Sequence, residues 1–478
     1  MYRKRDREQM TVENFVGPFG GRLDATNRWV KMSKIIPWDM VEDIYAKSFK
    51  GEKNDGRRPI PARIAFGALF IKEYENFPQE RTMQHIAENV YMQYFIGLTE
   101  FNPKPLFDSS MLSRIAVRFS KDDMKRINEE MYRRTRAAEG KPPDDDPPGS
   151  GGNKGKIILD ATVAPADIRY PTDLSLLNES REGTEKIIDD VWQKTGRKGR
   201  RTAYNRKKAR KGYLHIAKQR KPRKKQVRKA VQEQLGCVEE NVEALKGIIT
   251  EIGLESFGVA NWGRFMTICE IVSQQRYHYD NPGQPVPNRI VSIRQPHIRP
   301  IVRGKAGREV EFGQKLGLSI VDGYTFIDVQ SWDNFAEGVT LIESVEKFRE
   351  MHGVYPEAVL ADKTYRNREN LDYCKEHGIR LSGPRLGRPK ASDIEADREQ
   401  AYADGCERNT VEGRIGTDKR RYGLDLIYSR LEPTGEFEAA MNVLCMNVAH
   451  VLRVFARFLL RWLIRLYFGG DFASPAVY

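Results

Sequence analysis

Apolar residues recur at helical spacing through the first 138 positions. Phe66, Leu69, Phe70, Tyr74 and Phe77 fall on one face of a helix beginning near Pro61, and His85, Ile86, Val90, Tyr91 and Tyr94 mark another. Asp108 or Ser109 is placed to cap a third, with Met111, Leu112, Ile115 and Phe119 along it and Arg114 and Arg118 beside them. Several short helices, the last bearing arginines, fit a helix-turn-helix as well as an ordinary small helical domain. The pattern then stops. Residues 139–153 stack Pro, Gly and Asp, which bury no core and mark a linker.

Beyond the linker, short apolar runs replace the helical period. Lys-Ile-Ile-Leu-Asp at 156–160 is of the buried-strand kind. Residues 184–280 read as helical again, with Val227, Val231, Leu235, Val238, Val242, Leu245, Ile248, Ile249 and Ile252 in register. Strands resume at about 309, and Asp322-Gly323, set between apolar runs in 319–327, is a tight-hairpin signature that accounts for Asp322 as turn chemistry. A helix from about Phe335 to Met351, the run Ala358-Val-Leu-Ala-Asp362, a helix at 367–377, a strand from Ile379 and helical sequence after about 400 complete the order. That order predicts an α/β domain with a mixed sheet. The expected division is a helical N-terminal DNA-binding domain at 1–138, the linker, an α/β domain at 154–468 with a helical insertion at about 178–300, and a tail at 469–478.

Charge narrows the function. Lys and Arg number 80 against 66 Asp and Glu in 478 residues, a net +14, and the excess is local. The 37 residues from Lys194 to Ala230 hold 18 Lys or Arg and no acid, so the other 441 net −4. Arg200, Arg201, Arg206, Lys207, Lys208, Arg210 and Lys211 crowd this run, with Tyr204 and Tyr213 among them. A solvated basic loop is one reading; a surface for nucleic acid is the better one, since the run lacks the apolar face a membrane needs. Val443–Phe468 is apolar, but it carries Arg453, Arg457, Arg461 and Arg465 at four-residue steps. This is the pattern of an amphipathic helix with one basic face, not of a lipid-spanning one.

Other classes fall away on composition. Apolar residues at 40% exclude a wholly disordered chain. Cys237, Cys269, Cys374, Cys406 and Cys445 are scattered, giving neither a disulfide framework nor a zinc ribbon, and they suit a reducing cytoplasm. The N-terminal stretch lacks the apolar run of a signal peptide. No phosphate-binding GxxxxGK[ST] loop occurs, so no nucleotide cofactor is expected, and the seven histidines show no ligand spacing.

The candidate chemistry is acidic. Two apolar strands end in Asp160 and Asp362, and α/β sheets gather ligands at the carboxyl ends of their strands. Two close carboxylates repel unless a divalent cation joins them, and paired ions of that kind activate phosphodiester chemistry. Arg408 and Glu412, four apart on one helix face, are either an ordinary ion pair or part of the same site. Lys419, Arg420 and Arg421 follow, bringing charge suited to phosphate.

With these residues the chain resembles bacterial insertion-sequence transposases of the DDE class. One large group of them has Tyr, two residues, Arg, three residues, Glu, six residues, Lys around its third acid. Arg408, Glu412 and Lys419 stand at those spacings, with Gly405 where the Tyr belongs. Asp160-Ala-Thr162, Pro300-Ile-Val-Arg-Gly-Lys305, Ser331-Trp-Asp-Asn-Phe335 and Ala361-Asp-Lys-Thr-Tyr365 also look like segments of such relatives. The resemblance spans roughly residues 15–460. It implies a ribonuclease H-like core in which Asp160, Asp362 and Glu412 hold Mg²⁺, or Mn²⁺ in its place, as two ions. Arg408 and Lys419 would orient the acid and the scissile phosphate, with Arg420 and Arg421 on DNA. It further implies a bacterial, cytoplasmic, nucleoid-associated enzyme, homodimeric on double-stranded DNA. Such an enzyme binds the terminal inverted repeats of a mobile element, cuts them and joins their 3′-OH ends to target DNA. A non-transposing nuclease on the same core and a DNA-binding regulator are the alternatives.

Overall fold

Caps and apolar spacing together set where the helices begin and end. The computed structural model describes residues 2, 4, 11–50, 59–140, 152–199, 201–253, 257–305, 308–384 and 394–468. Before the first strand it has helices α1 (Arg28–Ile35), α2 (Trp38–Lys47), α3 (Ala62–Glu75), α4 (Gln79–Glu88), α5 (Val90–Phe95), α6 (Met111–Ala116) and α7 (Lys121–Ala138). Pro61 precedes α3 as expected, and the helix is buried on nearly every side. The single helix expected around His85–Tyr94 is two. Asn89 breaks it, because its side chain accepts from the Tyr91 and Met92 N–H groups and restarts the chain as α5. Phe119 likewise lies beyond α6, in the turn before Ser120 and Asp123 form the capping box of α7. Most of the expected linker and all of the tail, like Arg200, lie outside the described residues.

The order then runs β1 (Lys156–Pro165), α8 (Asp173–Thr195), α9 (Arg206–Ala217), α10 (Lys224–Ile252), α11 (Val259–Asp280), β2 (Arg299–Lys305), β3 (Arg308–Val321), β4 (Tyr324–Ser331), α12 (Leu341–His352), β5 (Ala358–Leu360), α13 (Arg368–Glu376), β6 (Arg380–Leu381), α14 (Ile394–Arg421) and α15 (Glu432–Phe468). Strands resume at Arg299, not at about 309. Pro300 and Gly304 disguise β2 in the sequence; a proline fits there because β2 ends the sheet.

The chain divides into two compact units. The first comprises residues 1–165, 314–331 and 335–478. Its strands run in the order β4-β3-β1-β5-β6, with β1, β5 and β6 parallel and β3 and β4 antiparallel. Asp322 and Gly323 close the β3–β4 hairpin, both at positive φ (50° and 83°), the geometry of the tight turn their dipeptide favours. This is a mixed α/β fold behind a helical N-terminal region. One core cluster joins Trp29, Phe66 and Ile115 of the helices to Ile157, Leu318 and Val359 of the sheet.

The stretch from Phe437 to Ala449 in α15 is buried on nearly all sides, packed with α3, α7 and β4. Glu432–Ala456 is long and apolar enough to cross a membrane, yet most of it lies inside this core. The basic face expected for this helix is also not what Arg453 makes. Its guanidinium forms a two-point ion pair with buried Asp418 of α14, at 2.9 and 2.7 Å. The side chains of Arg457, Arg461 and Arg465 lie outside those described.

The second unit comprises residues 166–313 and 332–334. Helices α8, α10 and α11 share a core of Ile187, Val191, Val238, Leu245, Phe265 and Ile268. Arg181, fully buried, is satisfied by Gln234, Glu185 and Asn178. The helical period begins at Asp173, earlier than Thr184, because Thr172 and Ser175 cap α8. The first half of β3 pairs antiparallel with β2 here, Pro300 opposite Phe312.

Candidate active site

The register of two strands sets the geometry. β1 and β5 are parallel neighbours, with Ile157 opposite Val359 and Ile158 opposite Leu360. Asp160 and Asp362 each lie two residues further on. Strand side chains alternate faces with a period of two, and paired strands sit about 4.8 Å apart. Carried two residues past the last paired positions, that register puts Asp160, within β1, level with Asp362, just beyond the end of β5. Asp362, two residues past β5, turns the chain: its Oδ1 accepts from the Thr364 N–H at 2.7 Å and from the Thr364 hydroxyl, starting a short 3₁₀ turn at Lys363. That turn buries Tyr365, whose phenol is pushed well above its ordinary pKa, first by burial and further by Glu337, Asp160 and Asp362. Tyr365 thus feels both aspartates.

Helix α14 is fastened alongside these strands by polar contacts. Asp404 accepts from Arg380 of β6 at 2.5 and 3.0 Å, and Glu407 accepts from Lys156 of β1 at 2.9 Å. Arg408 Nη1 donates to the Ala361 carbonyl at 3.4 Å, immediately before Asp362. Lys419 Nζ donates to Thr162 Oγ1 at 3.1 Å and to the Val163 carbonyl. The helix accordingly follows β1 from Lys156 to Val163. Twelve residues of helix at about 1.5 Å each match six or seven of strand at about 3.3 Å.

Glu412 lies between these anchors, exposed, with Arg408 Nη2 3.0 Å from its Oε1. The β1–β5 register carries Asp160 and Asp362 to equal level, and Arg408, bonded to both the Ala361 carbonyl and Glu412, brings the acid of α14 towards the end of β5. Among the described residues no three acidic, histidine or cysteine side chains gather closely enough to enclose a metal ion. The donor set still suits Mg²⁺, which takes one or two carboxylates and fills its shell with water and phosphate oxygens. An added Cβ at Gly405 would meet nothing within 4 Å.

Sequence reasoning missed Thr162 and Tyr365 as neighbours of the acids. The signal for Thr162 was its place two residues after Asp160 on the same strand face. The basic candidates divide. Lys419 is turned inward onto β1, whereas Arg420 and Arg421 are exposed. In the second unit, Arg201 and Arg206 reach Asp189 at 2.9 and 2.8 Å, while Lys207, Lys208, Arg210 and Lys211 are exposed. The two tyrosines of the run serve the fold: Tyr213 is buried with Leu177 and Ile216, and Tyr204 donates to Glu185.

Residues 359–449, which include Asp362, Arg408, Glu412 and Lys419, match the family model of the transposase DDE domain. Residues 18–118, the helices α1 to α6, match that of a transposase domain, DUF772. No curated protein and no solved structure matches the chain. One transposase family thus matches the N-terminal helices and another the segment from β5 into α15, and together the two matches support an insertion-sequence transposase of the DDE class.

Proposed function

We propose that this chain binds the terminal inverted repeats of a mobile element, hydrolyses the phosphodiester at each end and joins the freed 3′-OH to target DNA, on a ribonuclease H-like core. The observation that carries the reading is the parallel register of β1 with β5, Ile158 opposite Leu360, with Asp160 and Asp362 each two residues further on and Arg408 linking the Ala361 carbonyl to Glu412. Asp160, Asp362 and Glu412 would hold two Mg²⁺, or Mn²⁺ in their place, which supply Lewis-acid polarisation of the scissile phosphodiester. The chain's own part is positioning. Arg408 keeps α14 against the end of β5 and holds the Glu412 carboxylate; Lys419 fixes the far end of that helix on β1. Arg420 and Arg421, exposed beyond it, suit phosphate, as do the exposed cations of the second unit. The helical N-terminal region at 1–138 would grip the element ends, the chain acting as a homodimer in the bacterial cytoplasm.

The test incubates purified protein and Mg²⁺ with DNA carrying the element's own ends and target DNA. Cut 3′ ends and joined products are expected. Cutting without joining would reassign the chain as a nuclease, and end binding without cutting as a DNA-binding regulator.

A further inference from the structure

We infer that the corner between α9 and α10 is the surface on which this protein seats the phosphate backbone of duplex DNA, through Lys218, Arg220, Lys221, Arg223, Lys224 and Lys225. This deepens the DNA-processing reading and rests on it. The basic run is not uniform once folded. Its first part is spent on the fold: Arg197 pairs with Glu251, and Arg201 and Arg206 converge on Asp189 of α8. Those arginines staple the α8–α9 loop and have acid partners already. The eight residues from Lys218 to Lys225 differ. Six are cations, all six are exposed, and among the described residues none pairs with an acid.

This arrangement works against the protein's own stability. Six like charges in eight residues repel. Arg223, Lys224 and Lys225 also occupy the N-cap and first turn of α10, where the helix dipole is positive and an acid or hydroxyl normally sits. A polyanion laid over the corner removes both penalties. Lys207 and Lys211, one turn apart on the exposed side of α9, extend the same surface.

The partner's class follows from what the corner lacks. Tyr213, Ile216 and Val231 turn into the unit's own core, leaving nothing to insert into lipid. With Tyr204 and Tyr213 held in the fold, no aromatic of the run offers the stacking platform that single-stranded nucleic acid uses. A duplex backbone asks only for spaced positive charge.

The experiment measures binding of the full-length protein to a mixed-sequence DNA duplex by fluorescence anisotropy over a range of KCl. Each phosphate contact contributes about 0.9 to the slope of log affinity against log salt. The six-position variant, Lys218, Arg220, Lys221, Arg223, Lys224 and Lys225 all →Gln, should lower that slope by about 3 to 5. The three-position variant K221Q/R223Q/K224Q should lower it by about half as much. R201Q/R206Q should keep the wild-type slope and lose thermal stability instead. A wild-type slope in both corner variants, or a slope loss in R201Q/R206Q as large as theirs, overturns the inference. If the wild-type protein binds the duplex without salt dependence, the DNA-processing reading itself fails, which is a separate result.

Discussion

Arg408 reaches Glu412 Oε1 at 3.0 Å with one guanidinium nitrogen and the Ala361 carbonyl at 3.4 Å with the other. One side chain thereby ties the acid on α14 to the residue before Asp362. As an exposed i,i+4 pair it adds only about 0.3–0.5 kcal/mol to the helix, so its stability value is small. Its value as a spacer is larger, since a misplacement of about 1 Å costs on the order of 10²-fold in rate. Arg408→Ala should cut DNA cleavage by that order while leaving the melting temperature nearly unchanged. Arg408→Lys should restore little, because an ammonium lacks the two-way fork. Cleavage rates and melting curves of the two variants check this; wild-type cleavage by Arg408→Ala would free Glu412 from any need of the tether.

Asp362 offers a clean separation of charge from fold. An asparagine there keeps an oxygen for the Thr364 N–H, so the 3₁₀ turn survives while the carboxylate is lost. Asp362→Asn, Asp160→Asn and Glu412→Gln should each abolish Mg²⁺-dependent cleavage, with end binding and melting temperature close to wild type. Gel-shift and cleavage assays on the same preparations decide it. Any one variant that cuts normally removes its residue from the site.

What the sequence made legible is the local part. The hairpin at Asp322-Gly323 and the helix start after Pro61 rest on short-range chemistry, and each lies where its residues predict; the strand runs start as expected, but β1 continues to Pro165, leaving Asp160 mid-strand, and β5 ends at Leu360, two residues before Asp362. The adjacency of β1 and β5 is different: some two hundred residues separate them, and only the pairing of Ile158 with Leu360 reveals it. Side-chain destinations were least legible. Nothing near Arg206 in the sequence points to Asp189 seventeen residues earlier, and the apolar half of α15 looks amphipathic until α3 and α7 are packed around it. A charge run shows total charge, not which cations are already paired.

Asp322 does more than turn the chain. Its carboxylate pairs with Arg136 of α7 at 2.6 Å, although half exposed. Asp322→Asn preserves the turn, since asparagine tolerates the left-handed region, but loses that pair. The expected cost is about 0.2–1 kcal/mol in urea unfolding, with cleavage unaffected. A loss of cleavage at unchanged stability would bring Asp322 into the active site.

Arg453 and Asp418 join α15 to α14 near the end that Lys419 anchors. Asp418 is 3% exposed on its side chain and Arg453 39%, so truncating the arginine removes a two-point counter-charge from a buried carboxylate. Arg453→Ala should cost about 1.5–3 kcal/mol, the range for hydrogen bonds to charged groups. Arg453→Ala/Asp418→Ala together should cost less than the sum of the two single changes, measured as a double-mutant cycle. Simple additivity would mean that the pair contributes nothing as a pair.

Glu73 gives the fold a pH dependence of its own. It lies wholly buried on α3, with Lys72 Nζ 2.5 Å from Oε1, and its pKa is pushed up from 4.5 to about 7, first by burial and further by Glu438 against the pull of Lys72. An acid whose folded pKa is raised binds its proton more tightly in the folded state. Its stabilisation is therefore complete below about pH 4.5, falls as pH rises towards 7 and is gone above that. The interval is worth on the order of 3 kcal/mol. Glu73→Gln cannot titrate, and Lys72 keeps the nearby Glu438 as counter-charge. Unfolding free energies of wild type and Glu73→Gln, measured in urea at pH 5, 6, 7 and 8, should show the variant gaining on wild type through that window and holding its gain above it. A difference that stays flat from pH 5 to 7 would place the titration of Glu73 elsewhere.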